Sequence, residues 1–477
     1  DEQLYCEAMT DNAYTKQPND FTQNIGNGSY STADSYVKQV WDGRYTGIRM
    51  CNQLLENIDR VPDLDPELKK RYIGEAKVLR AYSYYELYTK FGDIPYTTKV
   101  LSIKESMSIA RTAKATVIAN ILADLDEVIN GNYLPTSYDA DNKGRITRWA
   151  AMAIKAKIYL FEGNWTQVKN ITSTIMTEGG FKLFGSYAGL FEIANEYNSE
   201  VILDAQYRPT SREHQMMYVF LPPTLGGYSQ LSPLQELVDS YIMLDGKTIK
   251  ETGTSFDESH PYANRDPRLK ATVMYTGNSY TLADGTEVVI NCEKGEGKDG
   301  YGVGSDCSAT GYYIKKYWDN TYRATLYSGL NPILIRYADI LLMNAEALAE
   351  LGELDKTAWD ATIKPIRARA GFTLASAVEF PEGASKDKLI EIVRNERRSE
   401  LALEGHRHKD IIRWRIADKV LNGWCHGLKT NENEVVGTDN GYVRVENRAF
   451  NANKHYLWPI PQAERDLNAN LVQNPNW

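Results

Sequence analysis

Apolar residues recur every three to four positions over long stretches near both ends of the chain, and this is the period of one face of an α-helix. In the N-terminal part, the pattern predicts helices over Thr32–Arg60, Pro66–Phe91, Lys114–Asn130, Arg148–Glu162 and Thr166–Glu178. In the C-terminal part, it predicts helices over Ile333–Leu351, Thr357–Ala370, Lys386–Glu404 and Asp410–Leu421. Glycine or proline separates neighbouring segments, so each helix is expected to turn back on the one before it.

Small residues occur within two of these segments at positions where packed helices can approach closely. Ala153 and Ala156 lie in one segment, Ala345 and Ala349 lie in the other, and each segment ends in glycine before a second helix. Paired helices of this kind are typical of tetratricopeptide-type (TPR-type) repeats. The sequence therefore predicts a mainly α fold with a TPR-like scaffold, an α-α superhelix formed by residues 32–178 and 333–421.

The segment between the two sets of helices, residues 180–331, has a different character. Gly, Asn, Ser and Pro are frequent there, apolar runs are short, and Thr286–Cys292 resembles a strand. The C-terminal segment 442–477 is also irregular. Long irregular insertions in a compact protein are usually functional, so residues 180–331 are predicted to carry the functional face of a single domain spanning residues 1–477.

Size and charge exclude some classes of function. The chain has 477 residues and a formal net charge of −9, which disfavours nucleic acid as a partner. No apolar run approaches the roughly 20 residues that span a bilayer. The first residues, DEQLYCEAMT, carry no basic or apolar region of an export signal, as would also be true of a mature or trimmed chain.

The five cysteines include no CxxC pair, which disfavours a zinc site or a disulfide framework. Cys292 and Cys307 flank a glycine-rich loop and could form a disulfide in an oxidising compartment. The sequence does not give the separation of their Cα atoms, so both states stay open.

Two local motifs have a chemical and a structural interpretation. Gly295–Gly300 matches the GxGxxG pattern, but the glycine-rich residues that follow do not start the helix that a dinucleotide site requires, which favours a plain loop. His406 and His408 could hold a metal ion, but on a helix residues i and i+2 point in different directions. Paired catalytic carboxylates cannot be recognised among 63 acidic residues without geometry, so a glycosidase stays an alternative.

The stretch from Arg394 to Trp414, RNERRSELALEGHRHKDIIRW, carries many charges at helical spacing. Glu396, Glu400 and Glu404 follow one another at intervals of four, and arginines lie three or four positions away. This spacing favours ion pairs along one helix face, so a structural role is predicted for it rather than a chemical site.

Several blocks together resemble the SusD/RagB family, and they cover nearly the whole chain. The blocks are TDNAY (10–14), GEAKVLRAYSYYELYTKFGDIPY (74–96), ELVDSYIMLDGK (236–247), RDPRL (265–269), NPILIRYADILLMNAEALAELG (331–352), the stretch 394–414 and YLWPIPQAERDLNANLVQNPNW (456–477). The resemblance implies a surface lipoprotein of the Bacteroidota outer membrane that binds glycans without cleaving them. It also implies delivery of the glycan to a SusC-like TonB-dependent transporter and a structural role for the charged stretch.

Two alternatives to a glycan-delivery protein remain beside this resemblance. One is a protein that chiefly forms the lid of its transporter and binds a peptide or another nutrient; the other is an enzyme. In the family, a lipid-bearing cysteine and a first helix precede the TDN motif, which begins here at Thr10. The N-terminal lipid anchor is therefore expected to be absent from this chain, and Cys6 is not expected to carry the lipid.

Sugar rings bind to exposed aromatic faces flanked by amides, carboxylates or guanidinium groups. The chain has 32 tyrosines against 11 phenylalanines, and polar loops at 11–36, 214–230 and 314–329 carry aromatic residues, Tyr322 among them. The candidate ligand-binding residues are Asp11, Asn12, Tyr14, Tyr30, Tyr36, Tyr218, Tyr228 and Trp318. The aromatic rings could instead fill cores beneath loops, and Asp11 and Asn12 could form a turn. No cofactor is expected, although loop Asp and Asn residues leave room for a calcium ion.

Overall fold

The structure is a computed structural model that describes residues 2–17, 21–321, 325–430 and 437–477, with the side chains of Glu2 and Phe21 excepted. Tyr322 lies outside the described residues. Within these ranges, none of the helices combines the length and the apolar character needed to cross a bilayer.

Helices dominate the fold, and the strands are short. The helices are α1 (Glu2–Tyr5), α2 (Phe21–Asn27), α3 (Ser35–Asn57), α4 (Pro66–Phe91), α5 (Ile103–Ser106), α6 (Lys114–Asn130), α7 (Arg148–Phe161), α8 (Trp165–Glu178), α9 (Met216–Phe220), α10 (Gln235–Ser240), α11 (Pro267–Thr272), α12 (Tyr337–Leu351), α13 (Lys356–Ala361), α14 (Ile363–Ala370), α15 (Ala375–Val378), α16 (Lys386–Glu400), α17 (Arg407–Arg413), α18 (Ala417–Val420) and α19 (Gln462–Leu467). The strands are β1 (Ala13–Thr15), β2 (Val201–Asp204), β3 (Leu231–Pro233), β4 (Val273–Met274), β5 (Ser279–Thr281), β6 (Glu287–Val289), β7 (Tyr313–Ile314), β8 (Ile333–Arg336), β9 (Asn422–Lys429), β10 (Thr438–Asp439) and β11 (Tyr442–Ala449).

The chain divides into two compact units. The first unit comprises Asp1–Asn27 and Gly180–Ala449, and the second comprises Gly28–Gly179 and Phe450–Trp477. The second unit therefore holds the N-terminal helical segment that the sequence predicted. The single domain expected over residues 1–477 stays a prediction.

The long helices of the second unit pack against one another in chain order, as the pairing of predicted helices required. Contacts join α3 to α4, α4 to α6, α6 to α7 and α7 to α8. Local signals fix their ends. The Asp34 side chain accepts hydrogen bonds from the first backbone N–H groups of α3, and Pro66 occupies the first turn of α4. Helix α4 ends at Gly92, whose φ of +71° suits glycine. The observed bounds of α4 and α6 are those predicted from the sequence.

The C-terminal segment completes the core of the second unit. Trp458 is buried, and its ring meets the rings of Phe91 and Tyr36 at centroid distances of 5.8 and 6.0 Å. The Asn474 side chain donates to the carbonyls of Phe91 and Trp458 at 2.9 and 2.7 Å. Residues from the end of the chain are thus built into the helical hairpins.

The first unit contains all the strands that the structure describes, and here several predicted bounds are wrong. The helix predicted over Ile333–Leu351 begins only at Tyr337, because Ile333–Arg336 forms β8 and pairs with β2. The C-terminal segment 442–477 was predicted to be irregular, but Tyr442–Ala449 forms β11 between β10 and β9. The error at β8 comes from pairing with a distant strand, which leaves no local signal, whereas β11 pairs with β10 and β9, which lie just before it in the chain.

Other predicted elements of the first unit are shorter or divided. Thr286–Cys292 contributes only β6, which pairs with β5 in a hairpin. The helix predicted over Thr357–Ala370 is divided into α13 and α14 at Thr362. The helix predicted over Lys386–Glu404 ends at Glu400, and the segment Asp410–Leu421 contains the end of α17 and all of α18, separated near Arg415, whose φ is +55°.

Candidate functional site

The charged stretch 394–414 lies in the interior of the first unit, where α16 packs against α12. Glu400 accepts hydrogen bonds from Arg336 at 2.6 Å and from Arg268 at 2.9 Å, and it also pairs with Arg369. Burial alone would raise the pKa of Glu400, but the charges of the three arginines lower it to about 2. The stretch is ion-paired, as predicted, but the arginines that pair with Glu400 come from other segments of the chain and not from the same helix face.

The two histidines of this stretch do not form a metal centre. Among the described residues, no group of three or more His, Cys, Asp and Glu side chains is arranged to hold a metal ion. His406 instead lies where its charge acts on the carboxylates of Glu404 and Asp410. The geometry therefore supports a structural role for the stretch 394–414.

Asp11 and Asn12 were predicted to contact a ligand, and the structure corrects this prediction. Both side chains are buried. The Asp11 carboxylate accepts hydrogen bonds from Arg407 at 2.8 and 2.9 Å, and Arg398 donates to Asn12 at 2.9 Å. The two residues therefore hold the N-terminal segment against the charged network, which leaves their polar groups occupied.

Tyr30 and Tyr36 were predicted to be ligand platforms, and their burial also corrects that prediction. Tyr30 is 4% exposed and Tyr36 is 7% exposed. The Tyr30 ring lies 4.8 Å from the ring of Trp477 and 5.1 Å from that of His455. Because burying a large ring against other rings is strongly favourable, both tyrosines belong to the core of the second unit.

Tyr14 and Trp318 are half-buried in the first unit. Tyr14 lies on β1, and its hydroxyl accepts a hydrogen bond from Gln23 at 3.3 Å. Burial and the nearby charge of Glu446 raise the pKa of Tyr14 to about 12. The indole N–H of Trp318 donates to the carbonyl of Thr281 at 2.8 Å. Both rings are thus anchored by hydrogen bonds and present only part of their surface.

Tyr218 and Tyr228 are the predicted residues that the structure brings together. Their ring centroids are 4.2 Å apart, and Tyr228 is 38% exposed. The loop after α9 folds back so that the Tyr228 backbone N–H donates to the Tyr218 carbonyl at 3.1 Å. Gly227 permits this path, since a Cβ atom there would lie 2.2 Å from the carbonyl oxygen of Leu221.

Polar groups surround this ring pair. The Lys16 ammonium donates to the carbonyls of Ser305 and Cys307. The Lys16 backbone N–H donates to the backbone carbonyl of Gln230 at 2.9 Å. Burial, the bond to Tyr228 and the nearby charge of Asp306 raise the pKa of Tyr218. We call Lys16, Tyr218, Tyr228, Gln230 and Asp306 the tyrosine surface. It combines aromatic rings, an ammonium group, an amide and a carboxylate within one unit.

The glycine-rich segment Gly295–Gly300 has the loop structure that its sequence predicted. No helix follows Gly295–Gly300 in the described part of the insertion up to residue 321, which agrees with the interpretation as a loop.

All five cysteines are free; they belong to the described residues, and Cys307 donates to the carbonyl of Lys298 at 3.3 Å. The disulfide left open between Cys292 and Cys307 is therefore not formed in this structure.

A second aromatic site in the first unit was not predicted from the sequence. Tyr262 and Tyr275 stack with ring centroids 4.0 Å apart and planes 17° apart, beside a cavity of about 550 Å³. The Tyr312 hydroxyl donates to Gln235 at 2.6 Å and lies 3.2 Å from the Tyr262 hydroxyl. We call this site, which Tyr442 and Lys429 also line, the tyrosine cleft. Its residues are widely separated along the chain, so no sequence window could have shown it.

Family models and sequence relatives match most of this chain. The model of the SusD family matches residues 190–477, and a family described as starch-binding and associating with the outer membrane matches residues 1–160. SusD-like protein P25 of Formosa agariphila is 27% identical to the chain over 92% of this chain and 78% of its own length.

Solved structures of SusD-like proteins superpose over nearly the whole chain. A SusD-like carbohydrate-binding protein from Bacteroides fragilis matches with a TM-score of 0.88 and 29% identity, covering 98% of this chain and 93% of its own. A laminarin-binding SusD-like protein matches with a TM-score of 0.73 and 25% identity, covering 99% and 93%. The predicted TPR-like helical scaffold is confirmed by this match. The chain belongs to the SusD family, as its sequence motifs indicated.

Proposed function

We propose that this protein binds an oligosaccharide or polysaccharide through its tyrosine surface and delivers it to a SusC-like TonB-dependent transporter without cleaving it. The observation that carries the proposal is the close ring pair of half-buried Tyr218 and exposed Tyr228, near polar donors and acceptors. The relatives support the chemistry, since similar chains are a carbohydrate-binding protein and a laminarin-binding protein.

The tyrosine surface matches what a sugar ring requires. The C–H faces of sugars pack on aromatic rings, and the hydroxyl groups exchange hydrogen bonds with charged groups and amides at the rim. The Tyr218 hydroxyl is protonated at neutral pH and can donate a hydrogen bond. The charge of Asp306 acts on Tyr218 and also on Lys16, so this part of the unit carries both signs of charge.

The tyrosine cleft offers a further contact for a long glycan. Its stacked rings and the 550 Å³ cavity give room for a small saccharide, with Lys429 and the buried Gln235 in the lining. Weak contacts at two sites of one unit reinforce each other when a single chain occupies both. We therefore assign the tyrosine cleft a supporting role in the same binding function.

Neither Glu7 nor the carboxylates of the charged network fit the role of the acid in a glycosidase. A glycosidase needs one carboxyl group that is protonated near neutral pH and open to the substrate. Burial raises the pKa of Glu7 to about 7, against the opposing effects of Asn12 and Gly405, yet this side chain is wholly enclosed. Glu400 and Glu404 have lowered pKa values and are paired with arginine, so neither can serve as the acid.

We place the protein at the outer surface of the outer membrane, held by a lipid anchor and partnered with the transporter. Support comes from the family described as associating with the outer membrane, which matches residues 1–160. Affinity purification of the full-length protein from its own outer membrane should recover a TonB-dependent transporter. Recovery of the protein without any such transporter would contradict this part of the proposal.

The binding function is tested by electrophoresis through gels that contain a panel of polysaccharides, starch and laminarin included. Wild type should be retarded by at least one of them, and a Tyr218→Ala/Tyr228→Ala variant should need about tenfold more polysaccharide for equal retardation. Tyr197→Ala is the matched control, because Tyr197 is 39% exposed in the same unit. Its retardation should equal that of wild type.

Three outcomes would contradict the proposal. Equal retardation of the double variant and wild type would show that the tyrosine surface does not bind the polysaccharide. Binding of oligopeptides without retardation by any polysaccharide would favour the peptide-binding alternative. Sustained release of reducing sugar from a labelled polysaccharide would show catalysis.

A further inference from the structure

A separate cavity of about 530 Å³ lies in the second unit, away from the residues discussed above. Its walls are the first turns of α4, the segment 132–136 that follows α6, and the start of α7. Gly74 lets this segment approach α4 closely, since a Cβ atom there would lie 2.9 Å from that of Tyr133. The close packing of this segment against α4 therefore shapes the wall of the cavity.

Two arginines line this cavity without any anionic partner. The Nε atoms of Arg71 and Arg148 are buried and have no hydrogen-bond partner, and neither guanidinium is ion-paired with a residue that the structure describes. Arg145, close by in sequence, shows the contrast, because Glu75 accepts hydrogen bonds from it at 2.8 and 2.6 Å. Most buried arginines of this protein are paired in the same way.

Aromatic rings flank both guanidinium groups. Arg71 lies 5.6 Å from the ring centroid of Tyr72 and 5.8 Å from that of Tyr138, and Arg148 lies 5.9 Å from that of Trp149. Such contacts orient a guanidinium but satisfy none of its N–H groups. The donors at the cavity wall are therefore positioned and still available.

The acidic groups near the cavity do not neutralise these arginines. The Asp65 carboxylate accepts a hydrogen bond from the Leu68 backbone N–H at 2.8 Å and caps α4. Asp139 accepts hydrogen bonds from Asn142, which are the main cause of its lowered pKa, and the charge of Arg71 contributes least to that lowering. Glu67 lines the cavity, is exposed and lies four residues before Arg71, but it forms no ion pair with it.

We propose that this cavity binds a carboxylate group of a ligand, with Arg71 and Arg148 as the hydrogen-bond donors. A planar guanidinium matches a carboxylate in two parallel hydrogen bonds, and desolvated donors without an acceptor are unfavourable. The cavity also lies at the N-terminal ends of α4 and α7, whose dipoles favour an anion. Acidic sugars and acidic peptides both carry this group, and they are the two sources to be distinguished.

The test is calorimetric titration of the protein with two carboxylate probes, trigalacturonate and acetylated triglutamate. Galactotriose and acetylated triglutamine are their uncharged counterparts and should not bind at this site. At least one carboxylate probe should bind, and Arg71→Gln and Arg148→Gln should each weaken its affinity about tenfold. Arg60→Gln, which removes an exposed arginine of the same unit outside the cavity, should leave the affinity unchanged.

Glu67 supplies a second variant that does not disturb buried groups. Glu67→Gln removes an exposed negative charge from the cavity lining that repels an incoming carboxylate, so it should tighten binding of the same probe at least twofold. The probe that binds identifies the source of the carboxylate as saccharide or peptide. If an arginine variant fails to fold, as judged by circular dichroism, the Glu67→Gln titration decides.

Failure of both carboxylate probes to bind would overturn the inference, as would binding that the arginine and Glu67 variants leave unchanged. This result is separate from that of the tyrosine surface. The Tyr218→Ala/Tyr228→Ala variant should bind the carboxylate probe with the affinity of wild type, because its substitutions lie in the other unit.

Discussion

Glu7 shows how one residue of the N-terminal segment links the first unit to pH. Its side chain is fully buried, accepts hydrogen bonds from Asn12 at 2.9 Å and from the Gly405 backbone N–H at 2.7 Å, and faces the charges of Arg407 and Lys316. Burial raises the pKa of Glu7 to about 7, although these partners all act to lower it. Desolvation therefore dominates at this position.

The raised pKa of Glu7 predicts a stability change with a definite sign. The folded state binds the proton more tightly than the unfolded chain, so this contribution is complete below about pH 4.5 and is lost as the pH rises through about 7. We expect the free energy of unfolding of wild type, relative to Glu7→Gln, to fall by about 2–4 kcal/mol between about pH 5 and about pH 8. Urea denaturation at the two pH values measures this difference, and parallel pH profiles of the two proteins would refute it.

Helix α16 shows how an element can be held in a core by charges. Its buried face carries Glu396, Arg397 and Glu400 beside the apolar Leu389 and Val393. Arg397 donates to Asp339 of α12 at 2.6 Å and to Asp410 of α17 at 2.9 Å. Because the partners come from several elements, the network fixes the position of α16 as well as its burial.

Removing one anion from this face should be costly. Glu400→Gln would leave the buried guanidinium groups of Arg336 and Arg369 with less compensating charge, so we expect a loss of about 3–5 kcal/mol in the free energy of unfolding. Chemical denaturation at neutral pH measures this loss. Glu391→Gln on the exposed face of α16 is the control and should change stability by less than about 0.5 kcal/mol. A loss of the same small size for Glu400→Gln would refute the structural role of the network.

At the scale of the whole molecule, each of the two compact units is assembled from separated parts of the chain. The second unit combines residues 28–179 with residues 450–477, and Trp458 from the later part is 2% exposed among rings of the earlier part. The C-terminal residues are therefore part of the core of the helical unit.

Trp458→Ala should destabilise the second unit by about 3–5 kcal/mol, because it removes a large buried ring. Hydrogen exchange followed by mass spectrometry should show faster exchange in α3 and α4 than in wild type, while α12 and α16 of the first unit keep their protection. Val472→Ala, at an exposed position of the same segment, should leave every profile unchanged. Equal loss of protection in both units would contradict their separate packing.

The sequence by itself determined the helices of the second unit and the family. The signals for α3 and α4 are local, since Asp34, Pro66 and Gly92 act on the backbone beside them and the apolar period lies within each segment. The helical spacing of Glu396, Glu400 and Glu404 predicted ion pairs with arginines of the same helix, but the arginines that pair with them come from other segments. The predicted bounds were wrong where a strand pairs with a distant partner, as β8 does with β2.

Only the tertiary structure decided which predicted side chains face solvent. Tyr30 and Tyr228 follow the similar sequences GNGS and LGG and precede serine, yet Tyr30 is buried against Trp477 while Tyr228 is exposed beside Tyr218. Asp11 likewise forms an ion pair with Arg407, which is distant from it in the sequence. Burial depends on which distant residues arrive next to a side chain, and a window of neighbouring residues carries no information about that.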